Sequence, residues 1–133
     1  RYRRIVDRQS DMLMEQALGE LLVDGEIHRH LKKAIKIYEQ RSLHLSLLLK
    51  EHLNDYVKFK SPPGGLALWS IWKKELNLMR VSKNCLKHRL HLPPTLLYQN
   101  ELTTAMRLGF GNLTTEELTE AIQILKVSIE ESM

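Results

Sequence analysis

Residues 103–118 read TTAMRLGFGNLTTEEL, and the change of period inside this stretch decides the fold class. From Thr103 to Phe110, β-branched and apolar residues flank Arg107, which predicts a strand, and Gly109 and Gly111 loosen the backbone at its end. The next four residues, Thr114-Thr115-Glu116-Glu117, have the spacing of a capping box: the Thr114 hydroxyl can accept from an amide of the first turn while Glu117 reaches back. Leu113 is placed to staple onto Leu118, and Leu118, Ala121, Ile122, Leu125 and Ile129 then recur along one helical stripe. A strand that runs straight into a capped helix therefore closes the sequence.

Upstream, Leu66 to Trp72 is an almost continuous apolar run of large side chains, too short for a helix and predicted as a central strand. Ser61-Pro62-Pro63-Gly64-Gly65 is the turn before it, and Val57 and Phe59 alternate with Lys58 and Lys60 as in a half-buried strand. Lys73 to Arg89 reads as a helix with Leu78, Val81, Cys85 and Leu86 on its buried side. Arg89 to Leu92 reads as a short strand stopped by Pro93-Pro94.

The first part of the chain is helical. Met14, Ala17, Leu18, Leu21 and Leu22 keep helical spacing until Asp24-Gly25, and a second, longer stripe runs from Ile27 through Leu31, Ala34, Ile35, Tyr38, Leu45 and Leu48 to His52, ended by Asn54-Asp55. Helices first, strands in the middle and a helix last give an α+β domain, with a small antiparallel or mixed sheet packed against helices. A single domain over residues 1–133 is expected.

Composition agrees with that architecture. With 133 residues, 43% hydrophobic and 27% charged, the chain matches one soluble globular domain with its own core. No window reaches the roughly 18 consecutive apolar residues of a membrane span, and no secretory leader opens the sequence, so a cytoplasmic protein is expected. The net charge of +4 raises the question of nucleic acid. Arg1, Arg3, Arg4 and Arg8 form one basic group, but Asp7 and Asp11 interrupt it, and a solvated helix face is the better reading. The chain opens on Arg1 in what reads as mid-helix, which points to a segment upstream.

Few residues invite chemistry. The six histidines sit in no metal-binding pattern, and His28 and His30, two apart, face different directions on a helix. Cys85 has apolar neighbours and reads as a buried small hydrophobe, while Trp69 and Trp72 read as core. Arg107 stands out because a guanidinium within an apolar strand needs acceptors. A structural ion pair, or an edge position in water, would satisfy it; so would the carboxylate of a ligand.

The order of these segments resembles the C-terminal small domain of fold-type-I pyridoxal-phosphate aminotransferases, and most closely the aminotransferase-like domain of MocR-type regulators of the GntR family. Four stretches carry the likeness: Asp7-Arg8-Gln9-Ser10 with Glu15 to Leu18; Gly25 to Leu31 with Tyr38 and Arg41; Pro63-Gly64-Gly65 through Trp69; and Met106 to Phe110 with Leu113 to Leu118. Pro93-Pro94-Thr95 with Tyr98 departs from the family's usual Pro-Gly-Ser and aromatic.

The resemblance implies that Arg107 grips the carboxylate of an amino-acid-like ligand. It implies a parent that binds pyridoxal phosphate and forms a homodimer, with the aldimine lysine in a large domain upstream. In a MocR-type parent it further implies DNA contact only through an upstream winged-helix domain. A parent that is a catalytic aminotransferase, moving an amino group between an amino acid and a 2-oxo acid, is the alternative.

Overall fold

The computed structural model describes residues 11–61 and 63–133. Its contacts separate a unit ending at Lys36 from a second formed by Ile37–Met133.

In the first unit, helix α1 spans Met12–Val23. Asp11 caps it by accepting from the Met14 amide, and Gly25 follows the stop with φ of 73°, the left-handed geometry for which glycine is suited. Helix α2 begins at Glu26 and continues without a break to His52. At about 1.5 Å per residue it is on the order of 40 Å long. Arg29 ties its first turn to Glu26 and to the Asp24 carbonyl.

The second unit contains the sheet. Strands β1 (Val57–Phe59), β2 (Ala67–Trp72), β3 (Leu97–Gln99) and β4 (Thr104–Gly109) lie in the order β1-β2-β4-β3, every neighbouring pair antiparallel. Helices α3 (Leu78–Lys87) and α4 (Thr115–Glu130) complete it with the C-terminal half of α2. This is the α+β class expected from the residue pattern, and the strands at 57–59, 67–72 and 104–109 fall where alternation and apolar content placed them.

One face of the sheet is dry and the other is not. Leu68, Ser70 and Trp72 of β2 and Met106 and Leu108 of β4 turn inward, meeting Leu45, Leu49, Val81, Cys85, Leu118, Ile122, Leu125 and Ile129 from the helices. Burying such side chains stabilises a fold by roughly 1.5–3 kcal/mol each before entropy is counted. The hydroxyl of Ser70 is tolerated at zero exposure because it donates to the Met106 carbonyl at 2.8 Å and accepts from the Trp72 indole nitrogen at 2.8 Å.

Helix α4 starts as the sequence indicates. Thr114 accepts from the Glu117 amide at 3.2 Å, and Glu117 accepts from the Thr114 amide at 2.7 Å. Leu113 packs against the core beside it.

Two expectations are corrected. The helix expected from Lys73 begins only at Leu78, because Asn77 accepts from the Arg80 amide and acts as its cap; on it Leu86 is exposed, and the polar Asn84 is buried in its place. Arg89 to Leu92 is not a strand. Arg89 has φ of 65°, its amide closes the end of α3 on Leu86, and the chain enters a 3₁₀ turn at Pro94–Leu96 before pairing as β3. Those residues are occupied in stopping α3, so β3 begins five positions after the residue expected to end that strand.

Candidate functional site

Arg107 lies in the middle of β4, directly opposite Trp69 of β2. Its side chain belongs to the set that alternates away from the core, and the residue is exposed. The expected cost of a guanidinium buried in an apolar strand therefore does not arise: the apolar neighbours Met106 and Leu108 turn inward and Arg107 turns out. No carboxylate of the described residues lies within ion-pair distance of it. Hydrogen-bond donors in a fixed planar fork, facing outward from a rigid strand, are thus available to a ligand.

The outer face around Arg107 is aromatic on one side. Trp69 on β2 and Tyr98 on β3 flank β4, yet their ring centroids are 4.7 Å apart with planes tilted by 59°. The rings must therefore meet above β4, and the small residue beneath them is Ala105, which pairs with both Ile71 and Tyr98. That bridge explains why Ala105 has no exposed surface although it lies on the outer face. Trp72 is core, as expected, but Trp69 is not: it keeps 46% of its surface exposed because odd-numbered positions of β2 face outward. The near-continuous apolar run concealed this alternation.

On the other side of Arg107 the register sets Ala67 against Gly109, the next pair on the same face. Beyond Gly109 the strand turns at Gly111, whose missing side chain admits Leu66: a Cβ there would come within 3.3 Å of it. The Gly111 carbonyl accepts a short hydrogen bond from Arg41 of α2 at 2.5 Å. Arg41 thereby pins the turn that connects the strand of Arg107 to helix α4. The His44 ring, one helical turn further along α2, hydrogen-bonds the Thr119 hydroxyl of α4 at 2.8 Å. Spacing alone marked Arg41 only as part of the long helix; its partner lies 70 residues away and has no local signature.

The remaining candidates fall elsewhere. His28 and His30 are exposed on α2, and among the described residues no three histidine, cysteine or acidic side chains are grouped to hold a metal ion. Cys85 is buried in α3, where desolvation pushes its thiol upward from the ordinary range. Among the described residues no helix is long and apolar enough to cross a membrane. The basic group Arg1, Arg3, Arg4 and Arg8 and the Asp7-Arg8-Gln9-Ser10 stretch lie outside the described residues.

No protein-family model matches the chain. Among curated proteins it is 26% identical over 111 residues to aromatic-amino-acid aminotransferase 1 of Thermococcus litoralis, covering 82% of this chain and 27% of that enzyme. It is 24% identical over 120 residues to the uncharacterized HTH-type transcriptional regulator YisV of Bacillus subtilis, covering 88% of this chain and 24% of that protein. Among solved structures, LysN, the α-aminoadipate aminotransferase of Thermus thermophilus, superposes with a TM-score of 0.80 at 20% identity over 98% of this chain and 34% of LysN. The chain thus spans between about a quarter and a third of the proteins it matches. Its α+β architecture, with an antiparallel sheet covered on one face by helices, is that of an aminotransferase small domain, and the chain is aminotransferase-like over most of its length.

Proposed function

We propose that these residues form the carboxylate-binding domain of a pyridoxal-phosphate-dependent, aminotransferase-like protein, with Arg107 gripping the carboxylate of an amino-acid-like ligand. The observation that carries the reading is the setting of Arg107: an exposed guanidinium, fixed at mid-strand, without an ion-pair partner among the described residues. A bidentate fork of this kind fixes orientation as well as affinity, because two parallel N–H···O bonds remove the rotation that one bond leaves. Held in this way, a ligand presents its Cα in one direction relative to the sheet.

Pyridoxal phosphate bound in the parent would supply an electron sink at that Cα. The resemblance assigns its lysine to a large domain upstream, so no role toward the cofactor is proposed for the residues of this domain. The domain's own contribution is to bind and orient the ligand.

In its parent this clamp serves a MocR-type regulator of the GntR family. The carboxylate ligand acts there as effector, DNA is contacted through an upstream winged-helix domain, and the protein is a homodimer. The likeness to the HTH-type regulator over 88% of the chain supports this, as does the Asp7-Arg8-Gln9-Ser10 stretch. The second reading, an aminotransferase that turns its ligand over, is favoured by the identity with the T. litoralis enzyme.

The test is made on the complete open reading frame that encodes these residues. Binding of L-amino acids and 2-oxo acids is measured by calorimetry for the unaltered protein and for Arg107→Gln and Arg107→Lys. Loss of a charge-assisted pair worth about 1.5–3 kcal/mol predicts a rise in Kd of roughly 10- to 150-fold for Arg107→Gln. Unchanged Kd in that variant would remove Arg107 from the site. Ligand-dependent retention of an operator fragment selects the regulator, whereas amino-group transfer to a 2-oxo acid selects the enzyme.

A further inference from the structure

The outer face differs sharply on the two sides of Arg107. Toward β3 it is raised by the ring pair of Trp69 and Tyr98; toward the Gly111 turn it is low, because the next cross-strand pair on that face is Ala67 with Gly109. The low ground is open: a Cβ built on Gly109 would meet no atom outside its chain neighbours closer than 4.0 Å, and that atom is the Leu66 carbonyl oxygen. Gly109 is not among the positive-φ residues, so left-handed backbone geometry does not require glycine there. Ala67 and Gly109 therefore leave space beside Arg107 that neither packing nor strand geometry demands.

What borders this space is apolar. Leu66 stands at one end with 51% of its surface exposed, and Trp69 stands at the other with 46%. The strands place one further charged residue on this face, Lys58, which pairs with Ile71 at the far end of β2. From Ala67 to Ile71 is four strand positions, about 13 Å. A ligand whose carboxylate is held at Arg107 and whose side chain lies over Ala67 meets no second cation on the sheet.

We infer that the low pair Ala67–Gly109, bounded by Leu66 and Trp69, is the side-chain subsite of the ligand gripped by Arg107, and that it selects monocarboxylates with a bulky apolar side chain over small or dicarboxylic ones. The inference rests on the carboxylate-binding role of Arg107. Selection follows from burial: the apolar side chain exchanges water for Leu66 and Trp69, whereas the described strands offer a second carboxylate there no cation.

The test uses the protein from the complete open reading frame and four 2-oxo acids: phenylpyruvate, 4-methyl-2-oxopentanoate, pyruvate and 2-oxoglutarate. Dissociation constants are read by calorimetry for the unaltered protein, Ala67→Phe, Gly109→Val and Arg107→Gln. The unaltered protein binds the first two at least about tenfold more tightly than the last two, in line with what a few methylenes are worth in an apolar pocket. Ala67→Phe and Gly109→Val fill the space, so each weakens phenylpyruvate and 4-methyl-2-oxopentanoate by about tenfold or more while pyruvate changes less than about threefold. Circular dichroism establishes that both variants are folded, and either one suffices. Arg107→Gln weakens all four.

If Arg107→Gln weakens all four but the filling variants leave the order of preference unchanged, or if 2-oxoglutarate binds best, the subsite is overturned and the carboxylate clamp stands. If Arg107→Gln weakens none, the clamp itself fails and the subsite with it.

Discussion

Replacing Ser70 by alanine tests the arrangement on which the candidate site depends, namely which face of β2 points inward. Ser70 has no exposed surface, donates to the Met106 carbonyl at 2.8 Å and accepts from the Trp72 indole nitrogen at 2.8 Å. Ser70→Ala removes the central member and leaves the indole N–H, inside a residue only 3% exposed, without an acceptor. An orphaned buried donor costs about 1–3 kcal/mol, and the lost bond to the carbonyl adds to it, so a total of about 2–3 kcal/mol is expected. For a domain of this size that lowers Tm by roughly 6–10 °C.

Trp72→Phe removes the donor and much of an indole, and should cost more than Ser70→Ala. The informative quantity is the double variant. Once the indole N–H is gone, removing the serine hydroxyl no longer orphans it, so the combined loss is about 1 kcal/mol or more smaller than the sum of the single losses. Urea unfolding followed by circular dichroism measures all four proteins without relying on the tryptophan that is altered. The reasoning is refuted if Ser70→Ala costs under about 0.5 kcal/mol, the range of ordinary surface changes, or if the two losses simply add. A β2 register slipped by one residue would give that result, because Ser70 and Trp72 would then face water and Trp69 would face the core.

The two tryptophans should separate cleanly in stability: Trp72→Ala, vacating the core, is expected to cost about 3–5 kcal/mol, and Trp69→Ala at most a third of that, as read from chemical denaturation. Thr114→Ala removes half of the observed capping box and should destabilise by about 1 kcal/mol, with Thr114→Ser close to the unaltered protein. Glu116 is held below the usual carboxylate range, first by its own backbone amide and then by the Thr115 and Thr114 side chains. A depressed carboxylate contributes stability that is fully present above its unfolded value and is lost as pH falls through its folded one. Thermal melts should therefore show the unaltered protein above Glu116→Gln near neutrality and the two converging below about pH 4; a constant gap down to strong acid would contradict that assignment.

Much of the molecule is written locally, where a short stretch of residues carries its own cause. The capping box at 114–117, the glycine stop after α1, the helical stripe along α2 and the strand at 104–109 need no distant partner to be recognised. Arg107 could be singled out for the same reason, as a cation among apolar neighbours. Other features depend on residues far apart in sequence. The run 66–72 is apolar throughout, so its inner and outer faces cannot be distinguished until Leu68, Ser70 and Trp72 meet the helices. Strand β3 forms because β4 offers it an edge to pair with, and its three residues have no period long enough to read. The helix start at Leu78 depends on Asn77 accepting from the Arg80 amide, one turn later than composition indicates. Sequence thus determined the two N-terminal helices, the capped last helix and three of the four strands, and it marked Arg107 as a cation among apolar neighbours, because local periods and caps act over a single turn or strand. Only the tertiary structure decided that Arg107 faces out, that Trp69 and Tyr98 close over Ala105, and that Arg41 holds the turn after the strand of Arg107. Those depend on register and on contacts between distant residues, which no short stretch of sequence contains.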